Sequence, residues 1–274
     1  MTCASCVSSS RREAPAAQYD AIAELYDGYP GNYLEDILFF VEVAARAGSP
    51  VLAVGVGTGR LALCLAAVGL DVVGIDSSRA MLRTLARKRE AVGKMAGRVR
   101  ALAADMRSFA LGERFRLAIV AFRTFLYLLT RADQRRALRA IRRHLTPGGR
   151  LAMSFFVPPP ELLALGSTEE QEMTRFPAPE GRGEVVAYDW TEFVPARRRL
   201  ISHITYEWRD EKERTGRWLQ RDLVARYVFP DEVPPLLEGC GYRVLGVYGS
   251  FGREALAEDS HEQVWMAERR EKKR

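Results

Sequence analysis

The reading of the chain turns on Val51-Leu52-Ala53-Val54-Gly55-Val56-Gly57-Thr58-Gly59-Arg60. An unbroken apolar run of this kind suits a strand covered on both faces. Three alternate glycines follow it, and then a helical pattern begins. Glycine is needed where the backbone turns sharply and where a ligand presses on main-chain atoms, because a Cβ would collide. Next comes Val72-Val73-Gly74-Ile75-Asp76, a second buried strand ending in an acid about 20 residues beyond the first glycine. In a doubly wound sheet, an acid at that strand tip sits beside a ribose held over the first loop and accepts its two hydroxyls.

Outward from this stretch the same alternation continues. Val99–Ala103, Leu117–Ala121 and Leu151–Phe156 are further apolar runs, separated by helical spacings such as Leu61, Leu65 and Val68. Leu138, Ile141 and Leu145 follow Thr130, an N-cap residue with Asp133 three positions on. That helix is expected to end at Thr146-Pro147-Gly148-Gly149, where proline and glycine reverse the chain into the next strand. Strands alternating with helices predict βαβ units on a parallel sheet.

From Pro158 to Pro230 the period becomes two. After a loop-like stretch to Gly183, Val186, Tyr188, Trp190 and Val194 are read onto one face. Leu200, Ile204, Tyr206 and Trp208 join them from the next run, and Leu219, Leu223, Ala225, Tyr227 and Phe229 from a third. This predicts a small three-stranded antiparallel sheet with one apolar, aromatic face. A short helix over Asp231–Cys240 and strands at Tyr242–Tyr248 and Gln263–Ala267 close the chain. The predicted organisation is therefore a cofactor-binding core with its N-terminal segment (1–157), an inserted substrate cap (158–230) and a return to the core (231–274). The fold class is α/β, a doubly wound and mostly parallel sheet with an inserted antiparallel one.

Composition sets the outer limits. The chain has 274 residues, 47% hydrophobic and 28% charged, as a folded globular chain does. Its longest apolar runs fall far short of the roughly 20 residues of a membrane span. Met1–Arg12 contains no apolar secretory core, and 4 scattered cysteines make no disulfide framework, so the expected compartment is the cytoplasm. With 41 basic and 35 acidic residues the net charge is +6, too weak to mark a nucleic-acid binder. Cys3-Ala4-Ser5-Cys6 has metal-like spacing but no second pair, so no metal is expected.

The glycine loop has two nucleotide readings. A nicotinamide dinucleotide fingerprint, G-x-G-x-x-G/A, needs glycine or alanine at position 60, and Arg60 stands there. The third strand supports the alternative: it ends in Ala103-Ala104-Asp105-Met106. Asp105 can accept the exocyclic amine of an adenine, while the Met106 amide donates to a ring nitrogen.

Together these segments resemble the class I S-adenosylmethionine-dependent methyltransferases. The likeness rests on V-G-V-G-T-G at 54–59, G-I-D-S-S at 74–78 followed by Met81, A-D-M at 104–106, the region Ala118–Tyr127, and L-T-P-G-G-R at 145–150. It implies a seven-stranded sheet whose last strand inserts antiparallel, and S-adenosyl-L-methionine as cofactor. Gly55, Gly57 and Gly59 would approach its methionine part, Asp76 with Ser77 its ribose, and Met81, Asp105 and Met106 its adenine. Many members carry an acid where this chain has Ala53.

Tyr19, Tyr26 and Tyr33, before the first strand, are similar to the closing segment of small-molecule methyltransferases. The inserted sheet resembles that of the deoxysugar N,N-dimethyltransferases and related bacterial enzymes. By that likeness Tyr26 and Tyr33 would touch the cofactor or wall the transfer site, and the insert would roof the acceptor pocket.

The expected reaction is direct displacement of a methyl group onto a nitrogen or oxygen of a small-molecule acceptor. Tyr26 and His203 are the candidates for a catalytic group; His144, near a helix C-terminus, is read as a surface residue. Phe122, expected against the cofactor, and Arg123 and Tyr127, expected against the substrate, follow the fourth strand at the edge where ligands bind. Tyr188, Arg226 and Tyr227 are further substrate candidates, with either arginine suited to an acidic group. The alternatives are an RNA methyltransferase and a non-catalytic S-adenosylmethionine-binding protein. A homodimer is compatible with these residues.

Overall fold

The computed structural model describes residues 15–28, 34–179, 181, 183–210 and 215–271. Seven strands form the larger sheet: β1 (Val51–Val54), β2 (Val72–Asp76), β3 (Val99–Ala103), β4 (Phe115–Val120), β5 (Leu145–Phe156), β10 (Tyr242–Tyr248) and β11 (Glu262–Arg269). Their order is β10-β11-β5-β4-β1-β2-β3. The five from β1 to β5 pair in parallel, while β11 lies antiparallel between β5 and β10.

Helices cover both faces. In β1, Val51 and Ala53 pack towards α2 (Glu35–Ala47), α3 (Arg60–Ala67) and α4 (Arg79–Val92). Leu52 and Val54 pack towards α5 (Arg131–His144) and α7 (Val233–Glu238). Burial on both sides is why the strand is apolar at every position. Ala53 is thus a core residue at 6% exposure. The Thr130 hydroxyl accepts the Asp133 amide at 3.0 Å, so the expected cap of α5 forms.

Thr146–Gly149 behaves differently from expectation. The helix stops at His144, and 146–149 is an irregularity inside β5, where the pairing jumps from Phe115 opposite Leu145 to Leu117 opposite Arg150. His144 is likewise no surface residue. It is 5% exposed and stacked on Phe109, its Nδ1–H donates to the Ala140 carbonyl, and its Nε2 accepts the Leu111 amide. Burial pushes its pKa down.

The second sheet holds four antiparallel strands rather than three, in the order β6 (Gln171–Pro177), β7 (Glu184–Val194), β8 (Arg199–Arg209) and β9 (Thr215–Arg226). The extra strand, β6, is mostly exposed and polar, as an edge strand can be. The register also corrects the face assigned to β7. Ala187 opposes Tyr206, Asp189 opposes Ile204 and Phe193 opposes Leu200, so the odd-numbered residues share the apolar face. Tyr188 and Trp190 point the other way, with Thr205 and His203.

Between the sheets lies the N-terminal segment, α1 (Pro15–Asp20) with a short 3-10 turn at Tyr26–Gly28. Its Ile22 and Leu25 pack on Val185, Ala187, Ile204 and Tyr206, while Ala23 packs on Ala80 and Met81 of α4. α6 (Pro160–Leu165) connects β5 to the inserted sheet.

Candidate active site

Adjacent parallel strands whose crossovers leave in opposite directions open a crevice at their C-terminal ends. Here the pair is β1 and β4, and a chamber opens there. Its wall includes Gly55, Gly57, Asp76, Ser77, Met81, Asp105 and Met106, drawn from the last residue of β2, the loops after β1, β2 and β3, and the start of α4. Tyr19 and Tyr26 from the N-terminal segment and Phe122, Thr124 and Tyr127 from the loop after β4 complete it.

Asp76 is the fixed point of this chamber. Its Oδ2 accepts the Gly57 amide and its Oδ1 the Ser78 amide, each at 2.8 Å. Burial raises its pKa, and these backbone bonds oppose the rise. Each oxygen keeps lone-pair capacity for a further donor. Asp105 is held differently: the Arg107 guanidinium grips both its oxygens, Nε at 3.0 and 2.9 Å, and keeps its carboxyl below the usual range.

The glycines divide by role. Gly57 has φ +56°, and a Cβ there would meet nothing within 4 Å, so it faces open chamber. Gly59, at φ +82°, would drive a Cβ into Leu85 and does not line the chamber. Its expected approach to the ligand is replaced by close packing of α3 on α4. A Cβ on Gly55 would strike Thr124, which packs the glycine loop against the loop after β4.

Phe122 and Arg123 adopt positive φ, 51° and 64°, a conformation rare outside glycine. The Phe122 ring lies under the Arg60 guanidinium, 4.6 Å from its centroid, and Arg60 in turn pairs with fully buried Asp36.

A second and larger chamber adjoins the first, about 380 Å³ against about 140 Å³. Tyr19, Tyr26, Phe122 and Tyr127 line both. The rings of Tyr19 and Tyr26 meet edge to face at 5.7 Å, and those of Tyr19 and Tyr127 at 5.2 Å. Burial pushes the phenols of Tyr19, Tyr26 and Tyr127 up. At neutral pH Tyr26 is therefore a hydrogen-bond donor and not a base. The inserted sheet roofs the outer chamber with Asp189, Thr191, Phe193, Leu200, Ser202, Ile204 and Tyr206.

Several expected residues lie elsewhere. His203 is on the opposite face of the inserted sheet, stacked on Trp190 at 3.9 Å with its Nδ1 2.8 Å from Asp222. Tyr188 shares that face, and its hydroxyl accepts from Arg209. Arg226 sits 3.9 Å from Glu232, which also binds Arg131 and Arg198. Tyr227 is buried against Phe229. None of these four lines either chamber. Arg123 does line the outer one, but it is paired with Glu262 at 3.3 Å, so the expected acidic substrate group has a resident competitor. Tyr33, Cys3 and Cys6 fall outside the described residues. Asp189, Ser202, Ser154 and Glu262 are absent from the expected set; for Asp189 the only signal is an acid set between two aromatic residues, Tyr188 and Trp190.

Residues 51–149 match the family described as "Methyltransferase domain". That match takes in the glycine loop, Asp76 and Asp105. It is 34% identical over 102 residues to a cypemycin N-terminal methyltransferase from Streptomyces sp, covering 37% of this chain and 40% of that protein. It is 39% identical over 121 residues to a demethylmenaquinone methyltransferase from Thermus thermophilus, covering 42% of this chain and 51% of that protein. The chain thus spans about half, or less, of the length of these curated relatives. The solved CcbJ methyltransferase from Streptomyces caelestis superposes with a TM-score of 0.77 at 26% identity, over 94% of this chain and 100% of that one. Coverage on that scale takes in the inserted sheet as well as the seven-stranded sheet, and the expected class I fold stands. No described helix is long and apolar enough to cross a membrane.

Proposed function

We propose that the chain transfers a methyl group from S-adenosyl-L-methionine to a nitrogen or oxygen of a small-molecule acceptor. The observation that carries this reading is the pair of chambers sharing one aromatic partition, Tyr19, Tyr26, Phe122 and Tyr127. A nucleoside chamber and an acceptor chamber must meet where the methyl crosses, and that partition is where they meet.

The inner chamber fits an adenosine-bearing ligand. Asp76 has acceptor capacity left for two ribose hydroxyls, Gly57 leaves room where a Cβ would intrude, and Met81 and Met106 offer adaptable apolar contact. On this reading Gly55 and Gly57 meet the amino-acid end, Asp76 and Ser77 the ribose, and Asp105 and Met106 the base. The group supplies, when bound, a methyl already activated by a positive sulfur. The protein's remaining tasks are alignment and exclusion of water, and proximity alone can contribute about 7–11 kcal/mol. Half-buried tyrosine rings and Phe122 do the excluding, and they also favour a cation beside them.

The test is calorimetry of the full chain with S-adenosylhomocysteine, followed by release of that product across a panel of amines and alcohols. Well-folded protein that gives no heat with it refutes the reading. Binding without product release across the whole panel leaves a nucleoside-binding protein and refutes the enzyme.

A further inference from the structure

Where the end of β9 meets the start of α5 and the turn between β7 and β8, three arginines gather around Glu232, and their charges do not balance. Glu232 Oε1 takes Arg131 at 2.5 Å and Oε2 takes Arg198, while Arg226 reaches Oε1 only at 3.9 Å. Among the described residues none of the three arginines forms any other ion pair. The nearest carboxylates in the chain do not supply the missing charge. Asp133 is held by Arg107 and Arg136, and Asp231 is exposed and pairs with none of the three. Three guanidiniums therefore share one carboxylate.

Arg226 is the under-satisfied member. Its side chain is 16% exposed, and its Nη1 reaches only the Arg197 carbonyl, at 3.5 Å. Its Nε is buried and has no hydrogen-bond partner among the described residues. A charged donor left unmet in a buried place costs free energy, and such an exception calls for an explanation. Burial pushes the Arg226 pKa down, Glu232 opposes the fall, and the charges of Arg131 and Arg198 add to it. The other two arginines are held in place and stay open to solvent. Arg198 sits at φ +50° in the turn between β7 and β8, with its guanidinium 5.0 Å from the Phe229 ring centroid. Arg131 is the first residue of α5, a helix of 14 residues whose N-terminus adds positive potential. Their side chains keep 40% and 32% of their surface exposed. Arg131, Arg198, Arg226 and Glu232 line neither chamber.

We propose that Arg131, Arg198 and Arg226 form a binding site for a phosphate group, outside both chambers. A phosphate dianion matches the two positive charges that Glu232 leaves uncompensated. Its oxygens also accept from guanidinium forks in pairs, which a single carboxylate shared three ways cannot do. Glu232 holds the three arginines together without neutralising them. A phosphate seated there ties α5, which follows the partition residue Tyr127, to β9, which roofs the outer chamber with Leu223 and Ala225. The site does not depend on the methyl-transfer reading.

The experiment titrates the full chain calorimetrically, at neutral pH and constant ionic strength, with phenyl phosphate and separately with phenyl sulfate, its singly charged counterpart. The expected result is saturable binding with the phosphate preferred by about tenfold. Arg226→Gln should weaken phenyl phosphate binding by about tenfold. Glu232→Gln should tighten it by roughly threefold, because the competing carboxylate is gone. No saturable binding, equal affinity for the sulfate, or unchanged affinity in Arg226→Gln overturns the proposal. So does a Glu232→Gln protein that melts earlier without binding more tightly, since the cluster then only braces the fold. A wild-type crystal with phenyl phosphate decides the matter if either variant fails to fold. Phosphorus against Arg131, Arg198 and Arg226 upholds the site, and phosphorus elsewhere overturns it. Inorganic phosphate is the third titrant: tighter binding than the ester identifies the free ion as the ligand, weaker binding identifies a phosphate ester, and both uphold the site. S-adenosylhomocysteine titrated into the same samples reports on the methyl-transfer reading separately.

Discussion

Replacing Asp76 by alanine tests the nucleoside chamber at its fixed point. In the ligand-free protein the carboxylate already accepts two backbone amides, from Gly57 and Ser78. The bonds a ribose adds are thus extra ones to a charged acceptor, each contributing about 1.5–3 kcal/mol. Two of them give about 3–6 kcal/mol, and the lower end is expected because water enters the space that alanine leaves. At about 1.4 kcal/mol per tenfold, Asp76→Ala should weaken S-adenosylhomocysteine binding by more than about a hundredfold. The lost amide acceptors act on stability instead, since they are missing with and without ligand. Calorimetry gives the dissociation constant, and a thermal melt gives the stability loss. Repeating the titration with a ligand lacking both ribose hydroxyls closes a double-mutant cycle. The wild type should lose affinity for that ligand, and Asp76→Ala should lose almost nothing further. A dissociation constant within about threefold of the wild type, under 1 kcal/mol, refutes the ribose assignment.

Other perturbations separate packing from binding. Gly59→Ala should lower stability by about 1–3 kcal/mol through overpacking against Leu85. Gly57→Ala should instead cost about 1–2 kcal/mol from its positive φ and weaken nucleoside binding by roughly tenfold or more; wild-type affinity there would show that the ligand does not touch this residue. Asp36→Asn removes the counter-charge of Arg60 from a pair whose carboxylate is fully buried and should cost about 3 kcal/mol in a urea melt. A loss below about 1 kcal/mol would mean that the pair is screened as a surface one is. The Asp105–Arg107 link has a pH signature. Asp105 is held below its usual 3.8, so the stability it adds is complete above that pH and disappears as pH falls through the lowered value. The urea-midpoint gap between wild type and Arg107→Gln should therefore be present at neutral pH and close in strong acid; a gap that persists there refutes the link.

Much of the parallel sheet was legible because burial on both faces leaves a distinctive trace: Val51–Val54 and Val72–Ile75 admit no polar residue. Asp76 was legible for the complementary reason, a charge at the end of such a run. The inserted sheet read less well. β6 alternates no apolar residues, because as an exposed edge strand it buries little, and so it passed for a loop. In β7 the run Val185-Val186-Ala187 is apolar three times over, so its parity cannot be fixed from the strand itself. A one-residue slip exchanges the faces. That slip placed Tyr188 at the chamber and hid Asp189. Glu262, brought to the outer chamber from β11, comes from a distant part of the chain that no local pattern announces.

The N-terminal segment is anchored on two sides. Asp20 takes a hydrogen bond from Ser78 at 2.6 Å and Asp27 takes them from Thr58 at 2.6 Å and Lys88 at 2.8 Å, which fastens it to the glycine loop and to α4 with its N-cap. Gln18 accepts the Val224 amide at 2.8 Å and Ile22 packs beneath the inserted sheet, which fastens it to the roof. Tyr19 and Tyr26 ride on this one brace, so the two rooms cannot be resized separately. A displacement that widens the doorway for an incoming acceptor also draws a ring away from the nucleoside. On the methyl-transfer proposal, loading the second guest and releasing the spent first one would be geared to a single movement.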